Sequence, residues 1–246
     1  MRSEDTLACI IDFANRSFRD SADQDYIMAR QAYRMQFDSQ FRWNSLQAVE
    51  KYLKAILLYN NRSTIGIIHN LAEALKRVHD IADLQFDVPG RSEKFVEYLD
   101  TYGEDRYLSH PTLLPFRALF KLDETIWSIR RYCYFMRQEF RRGGEVINLL
   151  ETNKRKLASS QYKYFPNRYR ISNGYLEKVL AKRLPAYSAL VWKNPFFGKV
   201  AKRKITMMDR FSATTPTHFS IPECFEALNK LVQFPKEVKK TFFGSV

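Results

Sequence analysis

The sequence FRWNSLQAVEKYLKAILLYNNRSTIGIIHNLAEAL, residues 41–75, predicts the centre of the fold. Residues 46–58 are good helix formers and include no glycine or proline. Two neighbouring apolar faces recur at helical spacing, one formed by Leu46, Val49, Leu53 and Ile56 and the other by Ala48, Tyr52, Ala55 and Tyr59. A helix that is apolar over most of its circumference has to be buried by neighbours. We therefore expect a central helix in a bundle.

The polar residues at 60–63 interrupt this pattern, and a second amphipathic helix begins beyond them. His69, Asn70 and Leu71 stand at its start, and Leu71, Leu75 and Val78 supply its apolar positions. The arrangement predicts a long buried helix, a short polar connection and a helix that opens with the residues HNL.

These residues resemble the HEPN family. QAVEKYLKAILL, residues 47–58, is similar to the A-x-E-K-x-x-K-A pattern of the long helix in that family, and HNL at residues 69–71 is similar to its next helix opening. The resemblance covers about residues 22–142. It implies a mainly α protein, an antiparallel helical bundle, usually dimeric, that binds RNA or nucleotides. Some members of the family are metal-independent endoribonucleases in toxin or defence systems, so an antitoxin or a nucleotidyltransferase is a further partner that the resemblance implies.

Composition places limits on other functions. The 246 residues contain no charge-free apolar run near 18 residues, so no membrane helix and no membrane partner is expected. The acidic start MRSEDTLACIIDF is unlike a secretion signal, which leaves a cytoplasmic location as the expectation. Three distant cysteines have no metal-binding spacing, and we predict neither a metal nor a cofactor.

Several other helices are predicted around the central one. A first helix, with apolar Leu7, Ile10, Ile11, Ala14 and Phe18, is expected to end near the polar residues 20–23, and a second runs over about residues 25–38. A stripe without interruption then predicts one helix over residues 115–142, with apolar Leu119, Leu122, Ile126, Ile129, Cys133, Met136 and Phe140. We interpret Arg130, Arg137 and Arg141 on its opposite side as a solvated face. No strand pattern is visible before residue 160.

The positive charge is concentrated in one segment. Residues 1–150 contain 21 basic and 21 acidic side chains, whereas residues 151–204 contain 14 basic side chains and two acids. We therefore divide the chain into a HEPN-like bundle, residues 1–143, and a basic, aromatic-rich C-terminal extension, residues 144–246.

Aromatic residues alternate with the cations of this segment. Cations contact a phosphate backbone, and aromatic faces stack on unpaired bases. The predicted nucleic-acid-binding residues are Lys163, Tyr164, Arg168, Arg170, Lys182, Arg183, Trp192, Lys193 and Lys199. An acidic protein partner or an anionic membrane surface is the alternative for the same charges, and core packing is the alternative for Tyr175, Trp192 and Phe197.

Arg106 and His110 are the candidate catalytic pair. Catalytic HEPN proteins resemble one another in an arginine and a histidine with four to six residues between them, in which the histidine moves a proton and the arginine stabilises the phosphorane. Here only three residues intervene, and Tyr107 follows the arginine, a pattern closer to non-catalytic HEPN branches. Arg62 and His69 have catalytic spacing but straddle a different loop, so His69 is interpreted as a helix-start residue.

The sequence thus predicts an RNA- or nucleotide-binding HEPN-like protein, with metal-independent endoribonuclease activity left open. Two alternatives from other classes also stay open. One is a non-catalytic binding or regulatory HEPN module, and the other is an interaction protein whose basic segment docks an acidic partner.

Overall fold

The computed structural model describes residues 4–105, 111–133, 139–142, 145–199, 211–221, 223–234 and 236–243. The helices of its first half are α1 Glu4–Phe13, α2 Asp20–Arg34, α3 Asp38–Tyr59, α4 Leu71–His79, α5 Gly90–Tyr102 and α6 Ala118–Arg130. The later helices are α7 Leu149–Ala158, α8 Ser160–Tyr164, α9 Tyr175–Lys182 and α10 Tyr187–Val191, followed by the short helices Thr217–Ser220, Glu223–Asn229 and Lys236–Phe243. The mainly helical class predicted from the sequence is confirmed.

Helices α2 and α3 form the antiparallel pair at the centre of the structure. A three-residue connection reverses the chain between them. Three side-chain pairs join α2 and α3, and a fourth joins α3 to Asn15, in the π-helical segment Ala14–Arg19 that precedes α2. The Tyr33 and Phe41 ring centroids are 5.3 Å apart, Lys51 Nζ lies 2.5 Å from Asp25 Oδ2, the Tyr52 hydroxyl donates to Asp23, and the Tyr59 hydroxyl donates to Asn15. The residue number falls on one helix as it rises on the other, which is the signature of antiparallel packing. All eight apolar residues that define the two faces of α3 are buried.

The predicted break near residues 20–23 is wrong. A π-helical segment, Ala14–Arg19, joins α1 directly to α2. The polar residues here are used in side-chain contacts rather than in a loop, since Arg19 pairs with Asp20 and Asp23 is fully buried.

The predicted single helix over residues 115–142 is also wrong. Helix α6 ends at Arg130, where the backbone changes to hydrogen bonds that span three residues, Tyr132 N to Ile129 O and Cys133 N to Arg130 O. The Tyr132 hydroxyl accepts a hydrogen bond from the backbone N–H of Asp87, which fixes the chain against the loop before α5. Beyond residue 138 the chain forms a hairpin of β2 Glu139–Arg142 and β3 Glu145–Asn148.

Strands therefore occur before residue 160, against the prediction. Besides the β2–β3 hairpin, β1 Thr112–Leu114 pairs antiparallel with β4 Ser212–Thr214, with Thr112 opposite Thr214. Strands of three or four residues are too short to show clearly the alternation of apolar and polar residues that reveals a strand in a sequence.

One hydrophobic core unites the helices of the bundle with α9 and α10. Leu176 and Val179 of α9, Leu190 of α10, and Phe196 and Phe197 are buried in the same cluster as α2, α3 and α6. A separate small cluster forms around Phe225, Phe234 and Val238. Residues 176–197 of the basic segment are therefore packed on the bundle, so the segment presents its charges from a fixed position.

Candidate nucleic-acid interface

A buried ion network holds α9 on the bundle. Arg130 of α6 makes two bonds to Asp23, with Nε to Oδ1 at 2.6 Å and Nη2 to Oδ2 at 2.8 Å, and it also binds Glu177 of α9 at 2.8 Å. The backbone N–H of Leu176 donates to the same Asp23 carboxylate at 3.2 Å. The expectation that Arg130 lies on a solvated face is thus wrong, because its side chain is only 2% exposed. Of the other two arginines on that predicted face, Arg137 and the side chain of Arg141 lie outside the described residues.

The charges of this network stabilise one another. Burial alone would lower the pKa of Arg130, but the carboxylates of Asp23 and Glu177 outweigh it and raise that pKa well above its ordinary value. Burial likewise acts to raise the pKa of Glu177, but the charge and hydrogen bonds of Arg130 dominate and lower it to about 2. The arginine and Glu177 are therefore ionised at neutral pH.

A second buried network holds α10. Arg30 of α2 pairs with Asp123 of α6, and both side chains are fully buried. The remaining guanidinium donors of Arg30 bind the backbone carbonyls of Ala189 and Trp192, at the end of α10. The Tyr26 hydroxyl donates to Asp123 and accepts from the side-chain amide of Asn194. Two arginines of the bundle thus fix the position of the segment that carries the basic residues.

A cleft opens on the outer side of this docked segment, and we call it the basic cleft. Its volume is about 910 Å³, and its lining residues are Phe165, Asn167, Arg168, Arg170, Leu180, Tyr187, Val191, Phe197, Gly198 and Lys199. Three of them are basic and none is acidic. Arg168, Arg170 and Lys199 were predicted from the sequence as nucleic-acid-binding residues, and the fold brings them together here.

The cations of the basic cleft lie beside aromatic rings. The Arg168 guanidinium carbon is 4.4 Å from the centroid of Phe165, whose residue is 50% exposed. Burial lowers the pKa of Arg170, although Glu177 acts in the opposite direction, and its Nη1 donates to the carbonyl of Tyr169. The cleft therefore combines exposed positive charge with an accessible ring face.

The other predicted binding residues lie around this cleft rather than in it. Lys182 and Arg183 are exposed at the end of α9, and Arg183 lies 5.7 Å from the ring of Tyr187. Lys193 and Arg34 contact the half-buried ring of Trp192, at 4.6 and 5.5 Å from its centroid. Lys163 lies in α8, but its side chain is outside the described atoms.

Several aromatic residues of the segment are unavailable for stacking on a ligand. Tyr169, Phe196 and Phe197 are less than 9% exposed and pack against the interior. Core packing, the alternative left open for Phe197, is the structural outcome for that residue. Phe165 and Tyr187 were not among the predicted binding residues, because a sequence does not show which aromatics of a mixed segment face outward.

Tyr164 lies on the opposite side of the segment, in a second cleft that we call the adjacent cleft. This cleft has a volume of about 990 Å³, and its charged lining residues are Asp87, Arg91, Glu124, Arg131 and Lys154. Tyr164, Pro166 and Phe196 face it, whereas Phe165, Asn167 and Phe197 face the basic cleft. Residues 164–167 and 196–197 thus form a ridge between the two clefts.

The candidate catalytic pair Arg106 and His110 lies outside the described residues, because the structure describes residues 4–105 and then 111–133. His69 is described, and its Nδ1 lies 2.8 Å from Glu50 Oε2. Asn70 caps α4 by accepting a hydrogen bond from the backbone of Glu73, so the predicted helix start at HNL is confirmed. In the described ranges, no group of three or more His, Cys, Asp or Glu residues is placed to hold a metal ion.

The comparisons with known proteins agree with the helical architecture. None of the curated proteins and none of the solved structures compared matches the chain. Within the described ranges, no helix has both the length and the apolar character that crossing a bilayer requires. The family model described as HEPN domain matches residues 16–111, a segment that includes α2, α3, α4 and α5. The HEPN resemblance predicted from the sequence is therefore confirmed over residues 16–111.

Proposed function

We propose that this protein binds single-stranded RNA and that the basic cleft is the binding surface. The observation that carries the proposal is the cleft lining, in which Arg168, Arg170 and Lys199 surround aromatic side chains with no carboxylate among them. A HEPN domain is itself consistent with an RNA-binding or nuclease-like module.

The chemistry of the basic cleft suits an unpaired strand better than a duplex. Guanidinium and ammonium groups neutralise phosphates and release counterions, while a ring such as Phe165 stacks on a base whatever its identity. A base that is already paired would not offer its face to such a ring. We therefore expect binding with little sequence preference and a steep dependence on salt.

The experiment is a titration of a fluorescent single-stranded RNA of mixed sequence at several salt concentrations. Arg168→Ala should weaken binding and reduce the slope of log affinity against log salt by about 0.7. Arg155→Ala is the matched control, because Arg155 belongs to the same basic segment but is exposed on α7, outside the basic cleft. Equal effects of the two substitutions would show that only the overall charge matters and would remove the cleft from the proposal.

The alternative of an acidic protein partner uses the same cations without base stacking. A polyglutamate peptide at matched charge provides the comparison. If the peptide binds as tightly as RNA and Phe165→Ala changes neither affinity, the interaction-protein alternative replaces the RNA proposal.

Cleavage is a separate proposal that rests on Arg106 and His110. In it, His110 acts as general acid or base and Arg106 stabilises the phosphorane, with no metal required. The setting would be a toxin or defence system in the cytoplasm, with a homodimer as the active form and an antitoxin or nucleotidyltransferase as partner. The rival is a non-catalytic regulatory module, which binds RNA without cutting it.

Two exposed isoleucines support association with another protein surface. Ile65 and Ile68 are 85% and 76% exposed in the loop before α4.

A further inference from the structure

The N-terminus of α3 carries a buried arginine that has no ion-pair partner. Arg42 is 3% exposed, and its Nε donates no hydrogen bond. Its Nη2 makes one long contact, 3.4 Å to the backbone carbonyl of Asp105. Among the described residues, no carboxylate forms a salt bridge with it, in contrast to the buried Arg30 and Arg130, which each have one.

An unpaired buried charge destabilises a protein unless something compensates it. The phenol of Tyr98 forms a hydrogen bond with Arg42, and burial raises the pKa of Tyr98 to about 12 although the charge and the hydrogen bond of Arg42 act in the opposite direction. This phenol is therefore neutral near pH 7 and does not supply the missing negative charge. Among the described residues, no carboxylate within salt-bridge distance compensates the charge of Arg42.

Arg42 lines a cleft of about 460 Å³ at this helix end, and we call it the α3 cleft. The other lining residues are Gln36, Phe37, Asp38, Ser39, Gln40, Thr112 and Thr214. Thr112 and Thr214 are opposite each other in the β1–β4 pair, so two strands from distant parts of the chain bring two hydroxyl groups to the same place.

The backbone at this cleft favours an anion. Helix α3 has 22 residues, and Phe37 at its N-cap position supplies no side-chain hydrogen bond. The first amides of a helix have no intrahelical acceptor, and the helix dipole places partial positive charge there. Amides, hydroxyls and a guanidinium around one cleft form the donor set that tetrahedral oxyanions take at helix N-termini.

One carboxylate also lies in the α3 cleft. Asp38 lines it, but its Oδ2 accepts a hydrogen bond from Ser212 of β4. Strand β4 thus supplies a hydrogen bond to one carboxylate oxygen of Asp38, and its pairing with β1 also places Thr214 at the α3 cleft.

From this arrangement we propose that the α3 cleft binds a phosphate group, held by Arg42, the first-turn amides of α3 and the hydroxyls of Thr112 and Thr214. Inorganic phosphate and a phosphodiester of an RNA strand both offer the tetrahedral phosphate oxyanion that this cleft would bind. The proposal does not depend on the basic cleft, because the two sites share no lining residue.

The test is the melting temperature of the full chain in sodium phosphate and in sodium chloride of equal ionic strength and pH. Phosphate at about ten times its dissociation constant should raise the melting temperature of the wild type by roughly 3 to 6 °C. Arg42→Gln should melt no lower than the wild type in chloride, since it removes an uncompensated charge, and should lose the response to phosphate. Arg16→Gln, at an exposed arginine of the π-helical segment, should respond as the wild type does.

A second variant keeps the test decisive if Arg42→Gln fails to fold. Ser39→Glu introduces a second carboxylate beside Asp38, at a half-buried first-turn position where acids stabilise a helix, and should reduce the phosphate response by adding negative charge to the cleft. An undiminished response in folded Arg42→Gln or in Ser39→Glu would overturn the proposal, as would a wild type that melts equally in phosphate and chloride.

An RNA arm distinguishes the two sources of the phosphate. The probe is an oligonucleotide with hydroxyl groups at both ends, so that all of its phosphates are phosphodiesters. If Arg42→Gln binds this RNA more weakly and Arg16→Gln does not, the α3 cleft binds a phosphodiester of the strand. Unchanged RNA affinity together with a lost response to inorganic phosphate assigns it to a free phosphate ion.

Discussion

Arg130 Nε and Asp23 Oδ1 lie 2.6 Å apart although 107 positions separate the two residues in the sequence. The bond joins α6 to α2, and the other side of the same guanidinium binds Glu177 of α9. Removing one partner of such a buried pair costs about 3–5 kcal/mol, because the other charge remains buried. The same ion network thus contributes to the bundle and positions the basic segment.

Substitution Glu177→Gln should make stability less dependent on pH. The pKa of Glu177 is lowered to about 2 in the folded protein, so its contribution is fully present above the ordinary value near 4.5 and is lost as the pH falls towards 2. At pH 7 the variant should lose on the order of 3 kcal/mol of unfolding free energy, and at pH 3 less than half of that difference should remain. Urea denaturation at both pH values measures this, and a difference that grows towards pH 3 would contradict the assignment.

A chain that ends at residue 143 should not fold as a stable bundle. It loses Glu177, the carbonyls that bind Arg30, and the apolar side chains of α9 and α10 that share the main core. The domain boundary at residue 143 stays a prediction, and this truncation tests it. Comparison with a chain that ends at residue 199 checks this by thermal unfolding. A cooperative transition of equal midpoint in both chains would establish residues 1–143 as an independent domain.

The helices that show one strong period could be predicted, and the contacts that depend on distant partners could not. Eight apolar residues on α3 repeat at helical spacing, so their burial follows from the sequence alone. Arg30 and Arg130 look like surface residues in a helical pattern, because nothing local reveals that Asp123 and Asp23 face them. The stripe from Leu119 to Phe140 continues past Arg130, and the helix end there is accompanied by contacts with distant residues. The Tyr132 hydroxyl contacts the Gln85–Asp87 backbone, and the Tyr169 hydroxyl donates to the Arg131 carbonyl.

The candidate site shows the same division. Charge density predicted the segment, and three of its residues, Arg168, Arg170 and Lys199, meet in one cleft. Which aromatic rings face outward depends on how α9 and α10 pack, so Phe165 was missed as a binding residue, whereas Trp192 was included although it is half-buried against the core. A local sequence pattern shows the composition of a segment, but it does not show which way a side chain points where the backbone is irregular.

Substitution Ile126→Asp should abolish stable folding. Ile126 is fully buried in α6, and a carboxylate there would have no partner, at a cost of several kcal/mol. Circular dichroism melting of the variant against Ile126→Val, which should lose only about 1 kcal/mol, separates the charge from the loss of volume. A soluble Ile126→Asp protein with an unchanged melting temperature would remove the packing argument.

If the protein cleaves RNA, Arg106→Ala and His110→Ala should each abolish cleavage in the presence of EDTA and leave the melting temperature unchanged. The reason is that the histidine transfers the proton and the arginine stabilises the phosphorane, so neither replaces the other. Gel analysis of total RNA provides the measurement. Cleavage that survives both substitutions would assign the activity to other residues, and a wild type that never cuts, with or without metal, would support the non-catalytic module.

Charge and stacking in the basic cleft should be separable. Phe165→Ala should lower RNA affinity by about 1–3 kcal/mol, the effect of removing one stacked base, and leave the salt slope unchanged. Lys199→Ala should reduce the slope by about 0.7, because it removes a phosphate contact and no ring.

Tyr164→Ala shows whether the RNA strand crosses the ridge between the two clefts, since the Tyr164 ring is 74% exposed and faces the adjacent cleft. A loss of affinity with Tyr164→Ala at constant slope would extend the RNA path across both clefts, whereas unchanged affinity would confine the strand to the basic cleft. Binding that is independent of salt in the wild type would show that these cations serve a ligand other than nucleic acid.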